Sequence, residues 1–243
     1  MTAPGAAGGP PAGLAAEVGD LLSLAEASEA SSMSRLAEIA VRQISWSSGA
    51  VSTLWDGQRV VLSAASHPGL SGLVDIQESA GHGPTLDAVA GAGPVRCADT
   101  LADDRWPEFT REALHGGVRC WLTVARRTGT AALSLLVLGA RPRAIADDQA
   151  AIATSLLAIG EAVLGSISEL GEARAAASQM LDAAHARAVV DQAKGILMQA
   201  LSCDADEALA RMRDLSQRHN VKVTEVARRV IENSGPAARD RGR

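Results

Sequence analysis

The stretch ARAVVDQAKGILMQALSCDADEALARMRDLSQRHN, Ala186–Asn220, holds one of the two lysines of a chain whose other basic residues are all arginine; the second, Lys222, follows two residues later. Its apolar residues recur at helical spacing, with Val190, Ala193, Ile196, Leu197, Ala200 and Leu201 on one stripe. Ser202-Cys203 interrupts the stripe. Asp204 is then placed to cap a second helix, with Glu207 three residues on in a capping-box arrangement, and that helix buries Ala208, Leu209, Met212 and Leu215. Asn220 ends it, and a third helix buries Val223, Val226, Ala227, Val230 and Ile231. Three short amphipathic helices with tight connections predict a small all-α bundle, one that gains from attachment to whatever precedes it.

The polar residues of this bundle point to its work. Lys194 lies off the stripe beside Gly195, which costs helix stability of about 1 kcal/mol relative to alanine. A glycine in that position implies close approach of another backbone or of a ligand. Arg213, Ser216 and Gln217 sit near the end of the second helix and Lys222 at the start of the third, a set able to present cations and hydrogen-bond donors to phosphates and bases. DQAKGILM, DADEALARMRDLSQ and KVTEVA together resemble an ANTAR domain, the small helical RNA-binding module of bacterial transcription antiterminators, over about Ala184 to Asn233. The resemblance implies a dimer that recognises paired hairpins in nascent leader RNA. It also implies RNA contacts at Ala193, Lys194, Gly195, Arg213, Ser216 and Lys222; for Ala193 and Ala208, core packing is the competing reading. Because this segment has no Phe, Trp or Tyr, the load falls on cations and hydrogen bonds and the affinity should depend steeply on salt.

Upstream the texture is mixed. Residues 1–14 are rich in Ala, Gly and Pro and are expected to be disordered. A helical pattern follows from about Ala16 to Gln43, with Leu21, Leu22, Leu24, Met33, Leu36, Ile39, Ala40 and Ile44 recurring and a possible break at Ser31-Ser32. AVSTLW, Asp56-Gly57 and QRVVLSAAS spell a hairpin with a type I′ turn. Thr85 is placed to cap a short helix, PVRCAD reads as a strand, and DDRWPEFTREALHGG as a helix ending at Gly116-Gly117. GVRCWLTVARR and AALSLLVLGA form a last hairpin, the second strand apolar on both faces and so central. The sum is an α+β domain with helices on a mostly antiparallel sheet. GHGPTLDAV, the DDRWPEF helix and the last hairpin are similar to a GAF domain, which implies a small-molecule pocket; the candidate liners are Trp55, Trp106, His115 and Trp121, for each of which core or surface packing is the favoured reading. Where many relatives read GPC this chain has Gly83-Pro84-Thr85, so no thiol chemistry is available there.

From Ala146 to about Leu201 the pattern is helical throughout. Leu156, Val163, Leu170, Ala177 and Ala184 are seven apart, a coiled-coil seam and hence a homodimer, or a helix that packs back on its own domain. The expected organisation is thus 1–14 disordered, 15–167 GAF-like sensor, 168–183 helical linker, 184–233 ANTAR-like bundle and 234–243 disordered tail.

Composition narrows the function classes. Three cysteines, Cys97, Cys120 and Cys203, are odd in number and widely spaced, which argues against a disulfide framework or a zinc site. His67, His82 and His115 have no second ligand at useful spacing, so neither metal nor cofactor is expected. No signal-peptide pattern and no charge-free membrane-length apolar run is visible, and a cytoplasmic protein without a membrane role is expected. The net charge of −5 divides into +2 from Leu181 onward and −7 before it, a mild basic bias. Two alternatives to RNA binding are a DNA-binding regulator using the bundle as a helix-turn-helix, for which the third helix offers only Arg228 and Arg229, and an enzyme such as a GAF-fold methionine sulfoxide reductase. No nucleophile–base pair or phosphate loop marks the latter, and no catalytic residue is expected.

Overall fold

The computed structural model describes residues 28–234, and the chain divides into two compact units, Met1–Glu169 and Leu170–Arg243. The expected disordered start, the helical residues before 28 with Leu21, Leu22 and Leu24, and the tail beyond 234 lie outside the described residues.

The first unit begins with α1, Glu29–Gln43, capped by Ser28, whose hydroxyl accepts from the amide of Ser31 at 3.3 Å. The helix runs unbroken through Ser31-Ser32 and buries Met33, Leu36, Ala37, Ile39 and Ala40 at spacings of three and four. Five antiparallel strands follow: β1 Gly49–Asp56, β2 Arg59–Ala65, β3 Val95–Cys97, β4 Cys120–Thr128 and β5 Ala131–Gly139, in the order β2-β1-β5-β4-β3. Between β2 and β3 lie α2, Gly72–Ala80, and the single turn α3, Pro84–Asp87; α4, Pro107–His115, leads to β4. Central β5 is buried on both faces, as its sequence requires. On one side Leu133, Leu135 and Val137 join Leu122, Val124 and α1; on the other Leu136 and Leu138 join Val51, Trp55, Trp121 and the residues of α2, α3 and α4.

Two local readings are corrected. Both hairpin loops have positive φ only at their first residue, Gly57 at 61° and Gly129 at 64°, the pattern of a type II′ turn rather than the type I′ turn expected at Asp56-Gly57. Thr85 does not cap α3; Gly83 is the N-cap and Pro84 the first helical residue. The amide of Thr85 instead donates to Gln77 Oε1 at 2.8 Å, and buried Gln77 donates to the Leu73 carbonyl, so a side chain eight residues away orders this turn.

α5, Gln149–Leu201, is one helix. Within the first unit its Ala153, Leu156, Leu157 and Val163 complete the α1 side of the core, so the first two members of the heptad series pack on their own domain. Gly160 explains the fit: a Cβ there would lie 2.8 Å from Leu36 Cδ2 and 3.4 Å from Leu133 Cδ2. By length and composition alone α5 could cross a membrane, because one 18-residue window reaches a mean hydropathy of 1.8. Glu161 interrupts its apolar run and pairs with Arg126 at 2.6 Å, while the larger apolar side chains around it belong to this core. Later members of the series differ: Leu170 is half-buried, Ala177 and Ala184 are exposed, and Met180 and Leu181 are more than 70% exposed.

Gly160→Val should destabilise the first unit by about 1–3 kcal/mol, since overpacking at a contact already closed outweighs the gain of about 1 kcal/mol or less from removing a helical glycine. Tryptophan fluorescence during urea unfolding reads this unit alone, all four tryptophans being in it.

Candidate nucleic-acid interface

The second unit contains the rest of α5, then α6, Ala205–His219, and α7, Val223–Ser234. The turn residue Ser202 has φ 51°, and Asp204 Oδ1 accepts from the Glu207 amide at 2.8 Å, so the expected break and cap are both present. The Glu207 side chain does not reach back to close the box but pairs with Arg211. Asn220 ends α6 in the left-handed conformation at φ 49°, its amide bonded to the Gln217 carbonyl. The bundle core is small: Ala193, Met212, Val226 and Ala227, ringed by Val190, Leu197, Leu209, Val223, Val230 and Ile231.

The predicted contact residues divide by exposure. Ala193 is fully buried between the helices, so its side chain offers nothing to a ligand and can act only by fixing its neighbours. Lys194, one residue round the helix, reaches the margin and donates to Asp191 Oδ1 at 2.8 Å, which holds that carboxyl below its usual range. Gly195 faces open space: an added Cβ would meet nothing within 4 Å, so no part of the chain itself requires glycine there. Ser216 is committed to structure, its hydroxyl donating to the Val221 carbonyl at 2.6 Å while the Val221 amide returns to the Ser216 carbonyl at 3.1 Å. This pair of bonds locks the α6–α7 turn and sets Lys222 immediately beside it.

The remaining cations sort by partner. Arg211 pairs with Glu207, Arg218 with Asp214, and Arg228 and Arg229 with Glu225. Arg213 and Lys222 are exposed and, among the described residues, have no ion pair. Arg174 and Arg187, which sequence reasoning passed over, are two more such cations; Arg187, seven residues before Lys194, shares that face of α5. The signal was available, since the acid four residues after Arg187 is Asp191, already taken by Lys194.

In the first unit, Trp55, Trp106 and Trp121 are all buried on one face of the sheet, but only Trp106 and Trp121 meet; Trp55 lies at the other end of the strands, opposite Ala132. Trp55 Nε1 donates to Ser134 Oγ at 2.8 Å, and Trp121 meets Trp106 and Phe109 edge-to-face with ring centroids 5.6 Å apart. His115 lies elsewhere, exposed at the end of α4 beside Glu112. Trp121 Nε1 and Thr123 Oγ1 on that face, and Thr85 Oγ1 on α3 packed over β3 and β4, are buried with no partner. Burial, reinforced by a hydrogen bond to Asp103, pushes the Cys97 thiol up to about 12, and Cys120 is buried in the core.

A protein-family model for the ANTAR domain matches residues 178–231. The chain carries an ANTAR domain. Its three helices are therefore those of the module found in RNA-binding antitermination regulators. No curated protein matches the chain. Among solved structures, the chain is similar to the N-acylhomoserine lactone dependent LuxR family transcription factor CepR2 from Burkholderia cenocepacia, at 13% identity and TM-score 0.48 over 63% of this chain and 93% of that one. It is also similar to the free methionine-R-sulfoxide reductase from Neisseria meningitidis, at 17% identity and TM-score 0.46 over 70% and 99% of the two chains. A third is the GAF domain of a phosphoenolpyruvate-protein phosphotransferase from Coxiella burnetii, at 14% and 0.44 over 68% and 96%.

Two outcomes follow for this geometry. Ser216→Ala should destabilise the ANTAR domain by about 1 kcal/mol through the lost turn bond, read by far-UV circular dichroism during unfolding. Iodoacetamide at pH 8 should alkylate half-exposed Cys203 and leave native Cys97 and Cys120 unmodified, by mass spectrometry; with its thiol near 12, about one Cys97 in ten thousand is thiolate at that pH.

Proposed function

We propose that this protein is a signal-responsive, non-enzymatic regulator acting in the cytoplasm. Its ANTAR domain binds hairpins in nascent leader RNA and so promotes transcription antitermination. The observation that carries this reading is the set of unpaired, exposed cations, Arg187, Arg213 and Lys222, on a module whose other arginines are held by carboxylates. With Lys194 they supply the phosphate contacts; Gly195, open and without a side chain, lets the RNA backbone come close to α5. Ala193 and Ser216 act indirectly, one by letting the helices close and the other by holding Lys222 in place.

We assign homodimerisation to the exposed apolar residues of α5 between Leu170 and Ala184, where Met180 and Leu181 have no cover among the described residues. The signal is a small molecule taken up by the GAF-like first unit. The buried, unpartnered Trp121 Nε1, Thr123 Oγ1 and Thr85 Oγ1 support a polar ligand on the Trp121 face of the sheet. Duplex DNA is the weaker reading, because Arg228 and Arg229, the cations a recognition helix would use, share Glu225.

Binding of the full-length protein to a labelled double-hairpin leader RNA across a salt series tests the proposal. Arg213→Ala and Lys222→Ala should each weaken binding and make the slope of log K against log salt shallower by about 1, whereas Arg218→Ala should leave it unchanged. Equal affinity for duplex DNA at the same salt, or no RNA binding by the parent, would sink the idea.

A further inference from the structure

The outer edge of β3 carries a second feature that the reading above does not use. Two cavities, of about 290 and 370 Å³, share Arg96, Cys97, Ala98 and Arg143 as lining. The first lies between β3, the start of β4 and the segment from Arg143 to Asp147; the second lies between β3 and the loop from Asp99 to Arg105. The edge strand's outward carbonyls are already engaged: Arg105 donates to the Arg96 carbonyl at 2.7 Å, and the Arg143 amide donates to the Ala98 carbonyl at 2.7 Å. What remains toward the cavities is side-chain chemistry.

That chemistry is asymmetric. Arg96 pairs with Asp147, Arg105 with Asp103 and Arg119 with Asp99. Arg143, which lines both cavities, is exposed and has no ion pair or side-chain hydrogen bond among the described residues. Its charge is felt by Asp99, whose carboxylate is nevertheless committed to Arg119. Arg143 also stands in the left-handed region at φ 57°, a conformation that costs a side-chain-bearing residue about 1 kcal/mol or more and that glycine adopts freely. A strained backbone thus places the one guanidinium of this cluster that has no carboxylate. The one carboxylate lining the first cavity, Asp147, is paired with Arg96, and Cys97 remains a neutral thiol, so the Arg143 charge is the one left unbalanced there. Asp104, which has no ion pair, lines only the second cavity.

We propose that the cavity between β3 and residues 143–147 is a binding site for a compact oxyanion, a small carboxylate or phosphate monoester, gripped by the Arg143 guanidinium. A planar fork matches either anion bidentately, and a space of about 290 Å³ suits a molecule of metabolite size rather than a polymer. Asp104 in the second cavity favours leaving that space to water. The site belongs to the first unit, so its occupancy is measured without RNA, and failure of the RNA-binding reading would leave it standing.

Isothermal titration of the full-length protein with succinate and with glycerol 3-phosphate, at ionic strength held constant with chloride, separates the two chemistries. The expected result is saturable binding of at least one probe at millimolar concentration or tighter, weakened at least tenfold in Arg143→Gly and in Arg143→Gln. Arg143→Gly relieves the left-handed backbone, so its first unit should melt no lower than the parent's by tryptophan fluorescence, which separates lost binding from lost folding. The glutamine variant tests binding even if the glycine variant folds poorly. No saturable heat with either probe, or unchanged affinity in both variants, would overturn the proposal.

Discussion

Everything in the first unit follows from a strand with no polar face. β5 buries Leu133, Leu135 and Val137 on one side and Ala132, Leu136 and Leu138 on the other, so neither side can meet water. Two helical layers are therefore required. On one side they are α1 and the first part of α5; on the other they are α2, α3 and α4. The one polar residue inward on this strand, Ser134, is satisfied by accepting from Trp55 and donating to the Thr53 carbonyl. Gly160 then decides how closely α5 approaches, and the same helix goes on to supply the first helix of the ANTAR domain.

Most of this was legible because it rests on local rules. Apolar spacing marked α1, α6 and α7, the Asp56-Gly57 turn and an all-apolar run marked β1 and β5, and Asp204 and Asn220 marked helix ends by chemistry that needs no partner far along the chain. The failures share one cause. Thr85 has the right chemistry for a cap, but Gln77, held against Leu73, already supplies the acceptor for its amide. The heptad series from Leu156 to Ala184 leaves two partners open, a second chain or its own domain, because a period cannot say which partner a stripe meets; Leu156 and Val163 take the second, meeting α1 and the sheet. Trp55, Trp106, His115 and Trp121 are all candidate pocket liners by sequence, yet the three tryptophans are buried on one face of the sheet while α4 places His115 outside.

At the ANTAR surface, electrostatics does the sorting that residue type cannot. Carboxylates three or four residues away hold Arg211, Arg218, Arg228 and Arg229 in surface pairs, each worth little in stability. Their consequence is a reduced local field, so these arginines attract a phosphate less strongly than unpaired cations do. Arg213 has Leu209, Ala210, Ser216 and Gln217 at those positions, so nothing on its own helix can neutralise it. Lys222 has Glu225 within reach, but two arginines on α7 already compete for that carboxylate. A count of basic residues thus overstates the surface, whereas subtracting the local pairs leaves it concentrated at few positions.

Lys194 is the informative exception, being paired with Asp191 and also central to the RNA-binding proposal. A pair of this kind at the margin of the bundle adds little to stability and is screened by salt. Exchange of the carboxylate for a phosphate therefore costs little, and the oxygen that replaces it brings counterion release that Asp191 cannot. Arg187, on the same face and without a pair, would draw the RNA in. Under the proposal Lys194 would then exchange Asp191 for a phosphate at little cost, so the local acid is no obstacle to the contact.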